Sequence, residues 1–143
     1  MIVDSSAIIA ILFGEPDAAI YANAIATASA APQGVRISAV TYVEAAAVVE
    51  SQISAAGAQQ FDAFMRRAGI VVEAMTEQHA LLARQAYADF GKGRHPAGLN
   101  FGDCFSYALA KASREPLLFK GKDFSQTDIE GVGLDGWGAA PAA

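Results

Sequence analysis

Along the chain, short β-branched apolar runs are followed repeatedly by longer stretches of helical period, the pattern of strands alternating with helices. Ile2 and Val3 make the first strand-like run. Asp4, Ser5 and Ser6 then supply an N-cap, and residues 7–13 predict a helix that stops at Gly14. Glu15, Pro16 and Asp17 open a second helix, with Pro in the first turn and acids at the positive end of its dipole, and Pro32-Gln33-Gly34 breaks it. Residues 35–37 predict a strand and Ser38 a cap. The helix expected over 39–51 has so few polar positions that it should be nearly all buried. A helix over 55–68 carries Phe61, Phe64 and Met65 on one face; Gly69 ends it before a strand over 70–72. Thr76 caps a helix to residue 90, residues 91–98 form a loop, Asn100 caps a helix over 101–113, and 117–119 form the next strand. Residues 121–123 predict a turn and 132–134 a last short strand.

This alternation implies right-handed crossovers and an α/β fold: an α/β/α sandwich around a short central parallel sheet. A single domain is expected over 1–135, with 136–143 a disordered Gly/Ala/Pro tail. The 143 residues suit one core. In such sheets ligands bind beyond the carboxyl ends of the strands. Asp4 directly follows the first strand and Asp123 lies a few residues after 117–119, so both are expected at one rim.

Composition narrows the function classes. The chain is 53% hydrophobic with a mean hydropathy of +0.27, yet charges interrupt every apolar run before a membrane span accumulates. No basic segment and cleavage site of a secretory signal precede the first strand, which leads to the expectation of a cytoplasmic protein without membrane contact. Cys104 is the sole cysteine, so an internal disulfide and a multi-cysteine metal site are excluded, and it is expected to serve as a small buried hydrophobe. The net charge of -5 argues against holding nucleic acid on a general basic surface. That objection weakens where carboxylates gather to hold a divalent cation, because the cation then faces the phosphate.

Several acids lack obvious partners. Glu44 has Val40, Thr41, Ala47 and Val48 as helical neighbours, none of them a cation, so either the helix turns it to solvent, a distant Arg meets it, or it serves a site. Asp103 likewise has Leu99, Asn100, Ser106 and Tyr107 around it, but three residues after Asn100 it suits the first turn of a helix equally well. Asp4 is open to reading as a strand end or cap, and Asp123, beside Lys122, as a solvated turn acid. What favours a site is that four acids from different elements can converge on one rim, offering the oxygen ligands that Mg²⁺ requires.

Met1-Ile2-Val3-Asp4-Ser5-Ser6-Ala7, the segment from Ser38 to Glu44, Asn100-Phe101-Gly102-Asp103-Cys104 and Leu118-Phe119-Lys120-Gly121-Lys122-Asp123-Phe124 together resemble, in order and spacing, the PIN-domain ribonucleases, and specifically their VapC toxin branch. The resemblance runs from Met1 to about residue 135. It implies that Asp4, Glu44, Asp103 and Asp123 are the acidic, metal-binding positions, with Ser6 supporting the first and Asp128 competing with Asp123 for the fourth. It also implies a homodimer and an antitoxin partner. The expected chemistry is endoribonuclease hydrolysis of RNA phosphodiesters with Mg²⁺, or Mn²⁺ in its place, as part of a toxin–antitoxin pair. Glu44 would bind a second metal or act through water as a base, and Lys92, Arg94 and His95 are candidates for positioning phosphate or RNA. Two rivals remain: a housekeeping PIN nuclease without antitoxin, and a catalytically silent protein whose acids hold a structural ion. A receiver domain would want paired acids after its first strand and a haloacid-dehalogenase phosphatase Asp-x-Asp; Ser5 and Ser6 fit neither.

Overall fold

The computed structural model describes residues 1–134. Residue 135 and the tail expected over 136–143 lie outside the described residues. The elements run β1 (Ile2–Val3), α1 (Ser5–Leu12), α2 (Ala18–Ser29), β2 (Arg36–Ser38), α3 (Ala39–Ile53), α4 (Ala55–Ala68), β3 (Val71–Glu73), α5 (Glu77–Phe90), α6 (Asp103–Ser113) and β4 (Leu117–Leu118), followed by a 3-10 turn at Phe124–Gln126.

The four strands form one parallel sheet in the order β3-β2-β1-β4. From β1 the chain steps outward through β2 to β3 and then returns to the other side of β1. The topological switch therefore lies between β1 and β4, where the crossovers diverge and leave a crevice at the strands' carboxyl ends. Ile2 pairs with Leu117 and Val3 with Leu118, and the backbone N–H of Asp4 donates to Leu118 O at 2.9 Å, so the ladder continues up to the first acid.

Strand side chains alternate between faces, and here that divides the core in two. Val3, Ile37 and Leu118 pack with Ile8, Ile25, Val49, Phe61 and Met65, from α1 to α4. Ile2 and Leu117 pack on the opposite face with Leu99, Tyr107, Leu109 and Phe124, among α5, α6 and the 3-10 turn. The result is the expected three-layer sandwich. Arg36, the first residue of β2, pairs with Glu115 before β4 and with Glu73 at the end of β3, tying β2 to both.

Three local expectations require correction. Helix α3 is not nearly all buried: Thr41, Ala45 and Val49 face the core, but Val43 is 63% exposed and Ala47 and Glu50 are also exposed. Its apolar residues simply outnumber the positions that a helix lying on one sheet face can bury. The strand expected over 132–134 is reduced to an isolated parallel bridge between Gly131 and Leu117, supported by Val132 N–H donating to Leu117 O at 3.0 Å. The last long helix begins at Asp103 rather than at Phe101, because the Asn100 side chain accepts from Asp103 N–H at 2.9 Å and holds residues 101–102 in a turn. That turn swings Phe101 outward, where it is 73% exposed. Among the described residues no helix is long and apolar enough to cross a membrane.

Candidate active site

Asp4 sits where β1 gives way to α1. Its extended backbone and its side chain cap the helix: one carboxylate oxygen accepts from Ser6 N–H at 3.0 Å. The other accepts from the Ser106 hydroxyl at 2.5 Å, a contact across 102 residues of sequence. With 2% of its surface exposed, Asp4 is a buried carboxylate held by donors and not by a cation. The cap reading and the site reading thus both describe it. Ser6 supports Asp4 through its backbone N–H, while its hydroxyl accepts from Lys120 N–H at 2.9 Å and ties the exit of β4 to the start of α1. Lys120 Nζ in turn reaches Glu15 and Asp17, so these two acids neutralise a lysine instead of only flanking the helix end expected from sequence.

Glu44 projects from α3, half-buried, and accepts from Ser5 Oγ at 2.8 Å. Burial raises its pKa, the Ser5 hydrogen bond opposes that rise, and the negative charge of Asp4 adds to it. The turn before α6 closes on this carboxylate so tightly that a Cβ added to Gly102 would stand 1.8 Å from Glu44 Oε2. Glycine here is a requirement of space. Gly102→Ala is expected to push the flexible end of the Glu44 side chain out of its place; a crystal structure of the variant showing Glu44 still bonded to Ser5 and the α6 turn unmoved would contradict this.

Asp103 opens α6. Its carboxylate accepts from Asn100 N–H at 3.0 Å while its own N–H donates to Asn100 Oδ1, a reciprocal cap of the kind that satisfies the free donors of a helix start. Yet the carboxyl is pushed up to about 7, first by burial and then by the charges of Asp4, Glu44 and Asp123, with the Asn100 hydrogen bond pulling the other way. A plain cap on a helix dipole would shift downward. Carboxylates from four separate places in the chain thus stand near enough for Asp4, Glu44 and Asp123 to add to the effect of burial on Asp103. None of the ion pairs among the described residues involves any of the four.

Asp123 stands exposed at the start of the 3-10 turn, its side chain making no capping bond. Asp128 is engaged elsewhere, accepting from Tyr107 OH at 2.6 Å and from Lys111 Nζ at 2.5 Å. The loop candidates lie on the approach to α6. Lys92 and Arg94 are exposed, with the Arg94 guanidinium 5.9 Å from the Tyr87 ring centre, whereas His95 is half-buried, accepting from Ala97 N–H at 3.0 Å and packing edge-on against Phe90. His95 therefore helps to build its loop. Cys104 is 3% exposed, and burial with the Asp103 charge beside it raises its thiol to about 11, so it is an inert core residue at neutral pH.

Sequence reasoning passed over Ser5, Thr41, Ser106 and Gly102. Ser106 carried a signal: it is the one small polar residue in the otherwise apolar or aromatic run 104–110, one helical turn after Asp103.

All four acids offer hard oxygen donors, which suits Mg²⁺ or Mn²⁺ far better than softer ions. Among the described residues no three acid, His or Cys side chains are already drawn together as a closed cage for an ion. Ser5 and Asn100 each engage one oxygen of Glu44 and of Asp103, leaving the other, and both oxygens of Asp123, without a protein donor among the described residues. The donor set fits a divalent cation.

Residues 1–130 match the family model of the PIN domain. Ribonuclease VapC28 of Mycobacterium tuberculosis is 54% identical over 91% of this chain and 96% of its own length. Ribonuclease VapC of Mycolicibacterium smegmatis is 47% identical over 92% of this chain and 99% of its own. The chain belongs to the PIN-domain family and, within it, to the VapC ribonucleases. Solved structures agree on the fold. The Mycobacterium tuberculosis VapC20 structure, described as a Sarcin-Ricin loop cleaving toxin, superposes with a TM-score of 0.71 at 19% identity, covering 92% of this chain and 97% of that one. VapBC-1 of nontypeable Haemophilus influenzae gives 0.66 at 18% identity, covering 93% and 96%.

Proposed function

We propose that this chain is the toxin of a toxin–antitoxin pair, an endoribonuclease that hydrolyses RNA phosphodiester bonds at Asp4, Glu44, Asp103 and Asp123 with a divalent metal ion. The observation that carries this reading is the uncompensated carboxyl of Asp103: burial first, and then the charges of Asp4, Glu44 and Asp123, push it up to about 7, and no ion pair among the described residues reaches any of the four. A protein gains nothing from such an arrangement until a positive ion enters it.

Asp4, Asp103 and Asp123 are the ligands we assign, with Glu44 either a further ligand or a base acting through water; Mg²⁺ is the assigned ion and Mn²⁺ its substitute. The bound ion supplies positive charge against the scissile phosphate and makes a bound water easier to deprotonate. The residues do the rest. Asp4 is anchored at the end of β1 by two donors, which fixes where the phosphate can dock. Glu44, its pKa raised by burial and without a counter-ion, is suited to take a proton from water. Asp103 brings its carboxylate to the crevice from the first turn of α6. Asp123 is preferred to Asp128 as the fourth acid because Asp128 is already neutralised by Lys111 and Tyr107, which, against the effect of burial, leave its pKa lowered.

Lys92 and Arg94 are free to reach an RNA backbone that passes the α5–α6 loop. An antitoxin partner is proposed because one solved structure of this fold is described as a toxin-antitoxin complex from Klebsiella pneumoniae, and a homodimer on the family resemblance; the exposed Val43, Phe101 and Tyr87 offer apolar surface for a protein contact.

The test is cleavage of single-stranded RNA by the purified chain. Activity is expected with Mg²⁺ or Mn²⁺ and none in excess chelator, with duplex DNA a poor substrate because base-specific reading of RNA relies on unstacked bases. Equal activity in chelator would defeat the proposal.

A further inference from the structure

We infer that Ser106, backed by Thr41, is a positioning residue that fixes the Asp4 carboxylate and sets the spacing of Glu44 and Asp103 around it. This rests on the proposed role of Asp4 and adds to it a pair of hydroxyls behind the site.

The hydrogen-bond geometry fixes the direction of the relay. Ser106 has one hydroxyl hydrogen, and its 2.5 Å contact with the Asp4 carboxylate uses it, because an ionised carboxylate can only accept. The 3.1 Å contact between Thr41 Oγ1 and Ser106 Oγ must then be donated by Thr41. The chain of donors runs from Thr41 to Ser106 to Asp4. Both hydroxyl residues are 0% exposed, so water does not compete for these bonds.

Their places in the helices are informative. Thr41 stands one turn before Glu44 on α3, and Ser106 stands one turn after Asp103 on α6, the i and i+3 spacing that puts two side chains on one helix face. A single bond between the hydroxyls thus joins the two turns that carry two of the acids, and its continuation to Asp4 joins them to the third. Together with Ser6 N–H it holds both oxygens of Asp4, so the carboxylate plane is set before any ion arrives. Apolar residues of similar size would pack α3 against α6 without burying polar atoms, so helix packing alone does not call for hydroxyls here.

The test compares Ser106→Ala and the double variant Thr41→Val with Ser106→Ala against the wild type. The single variant leaves the Thr41 hydroxyl without its acceptor and one Asp4 oxygen without its donor; the double variant removes the first orphan but not the second, and is expected to melt above the single variant and below the wild type. Both are expected to lose about ten- to a hundred-fold in kcat for RNA with KM little changed, and to bind Mn²⁺ about tenfold more weakly by calorimetry, the usual scale for groups that orient a metal ligand. Mn²⁺ binding is measured below each variant's melting temperature, so a loss of stability does not obscure it. Wild-type kcat and wild-type Mn²⁺ affinity in the double variant would reduce the hydroxyls to packing and overturn the inference while leaving the nuclease reading intact. A wild type that neither binds Mn²⁺ nor cleaves RNA would overturn both.

Discussion

In chelator at neutral pH, Asp103→Asn is expected to melt above the wild type, and in excess Mg²⁺ below it. The folded state holds the Asp103 carboxyl at about 7, well above its ordinary value of 3.8. For a carboxyl with a raised folded pKa, the folded state binds the proton more tightly than the unfolded state. Its stability contribution is therefore complete below the unfolded value and is lost as pH rises from about 4 to about 7. Above that window the ionised group opposes folding. A shift of this size corresponds nominally to about 4 kcal/mol, but the carboxyl retains contact with solvent, and screening reduces it to about 1–2 kcal/mol. For a chain of this length that is a rise of about 3–8 °C in the variant. The Asn side-chain oxygen can still accept from Asn100 N–H, so the cap survives. Mg²⁺ at a hundred times its Kd then stabilises the wild type by about 2.7 kcal/mol and the variant hardly at all, which reverses the order. A variant that melts lower than the wild type in chelator would make Asp103 a structural cap. The same wild-type curves, repeated from pH 4 to pH 8 without metal, should show the midpoint falling across the window as Asp103 ionises.

Asp4→Asn should fail differently, and that contrast separates the two acids. Both Asp4 oxygens accept hydrogen bonds, from Ser6 N–H and from the Ser106 hydroxyl. An amide keeps its oxygen on Ser6 N–H only by turning its NH₂ to the Ser106 hydroxyl, which reverses the Ser106–Thr41 bond and trades charge-assisted hydrogen bonds for neutral ones, a loss of about 1–2 kcal/mol in a buried position. The metal-free variant is therefore expected to melt below the wild type, opposite to Asp103→Asn. Loss of a ligand removes several kcal/mol of charge stabilisation, so RNA cleavage is expected to fall by about a hundredfold or more. Induced expression of the wild type should arrest bacterial growth and expression of soluble Asp4→Asn should not. Arrest by the soluble variant would assign the toxicity to something other than cleavage.

Much of this arrangement was legible in the residues. The strand-to-cap transition at Ile2-Val3-Asp4 predicted an acid at a parallel-sheet rim, because strand period, N-cap chemistry and the carboxyl-end rule all bear on the same three positions. Unpartnered Glu44 and Asp103 were visible because a helix offers only i±3 and i±4 neighbours, and none was a cation. The two readings of Asp103 did not exclude each other: it closes a reciprocal cap with Asn100 and faces three other acids. What stayed hidden depended on contacts across the chain. No local rule links Ser106 to Asp4, or Gly102 to Glu44, and the competition between Asp123 and Asp128 turns on Tyr107 and Lys111, which pair with Asp128 only once α6 and the 3-10 turn are packed together. The exposure of Val43 was missed for a related reason, since composition counts apolar residues but not the width of the face that can cover them.

The central claim is that a metal ion held by these acids is what makes the chain a ribonuclease, and one titration addresses it most directly. Mn²⁺ is added to metal-free wild type and to Asp4→Asn, with heat of binding and rate of RNA cleavage measured at each concentration. The wild-type cleavage rate is predicted to rise over the same range in which the ion binds, and Asp4→Asn is predicted to show neither the tight binding nor the activity. Cleavage by the wild type at full rate before any ion has bound, or undiminished cleavage by Asp4→Asn, would contradict it.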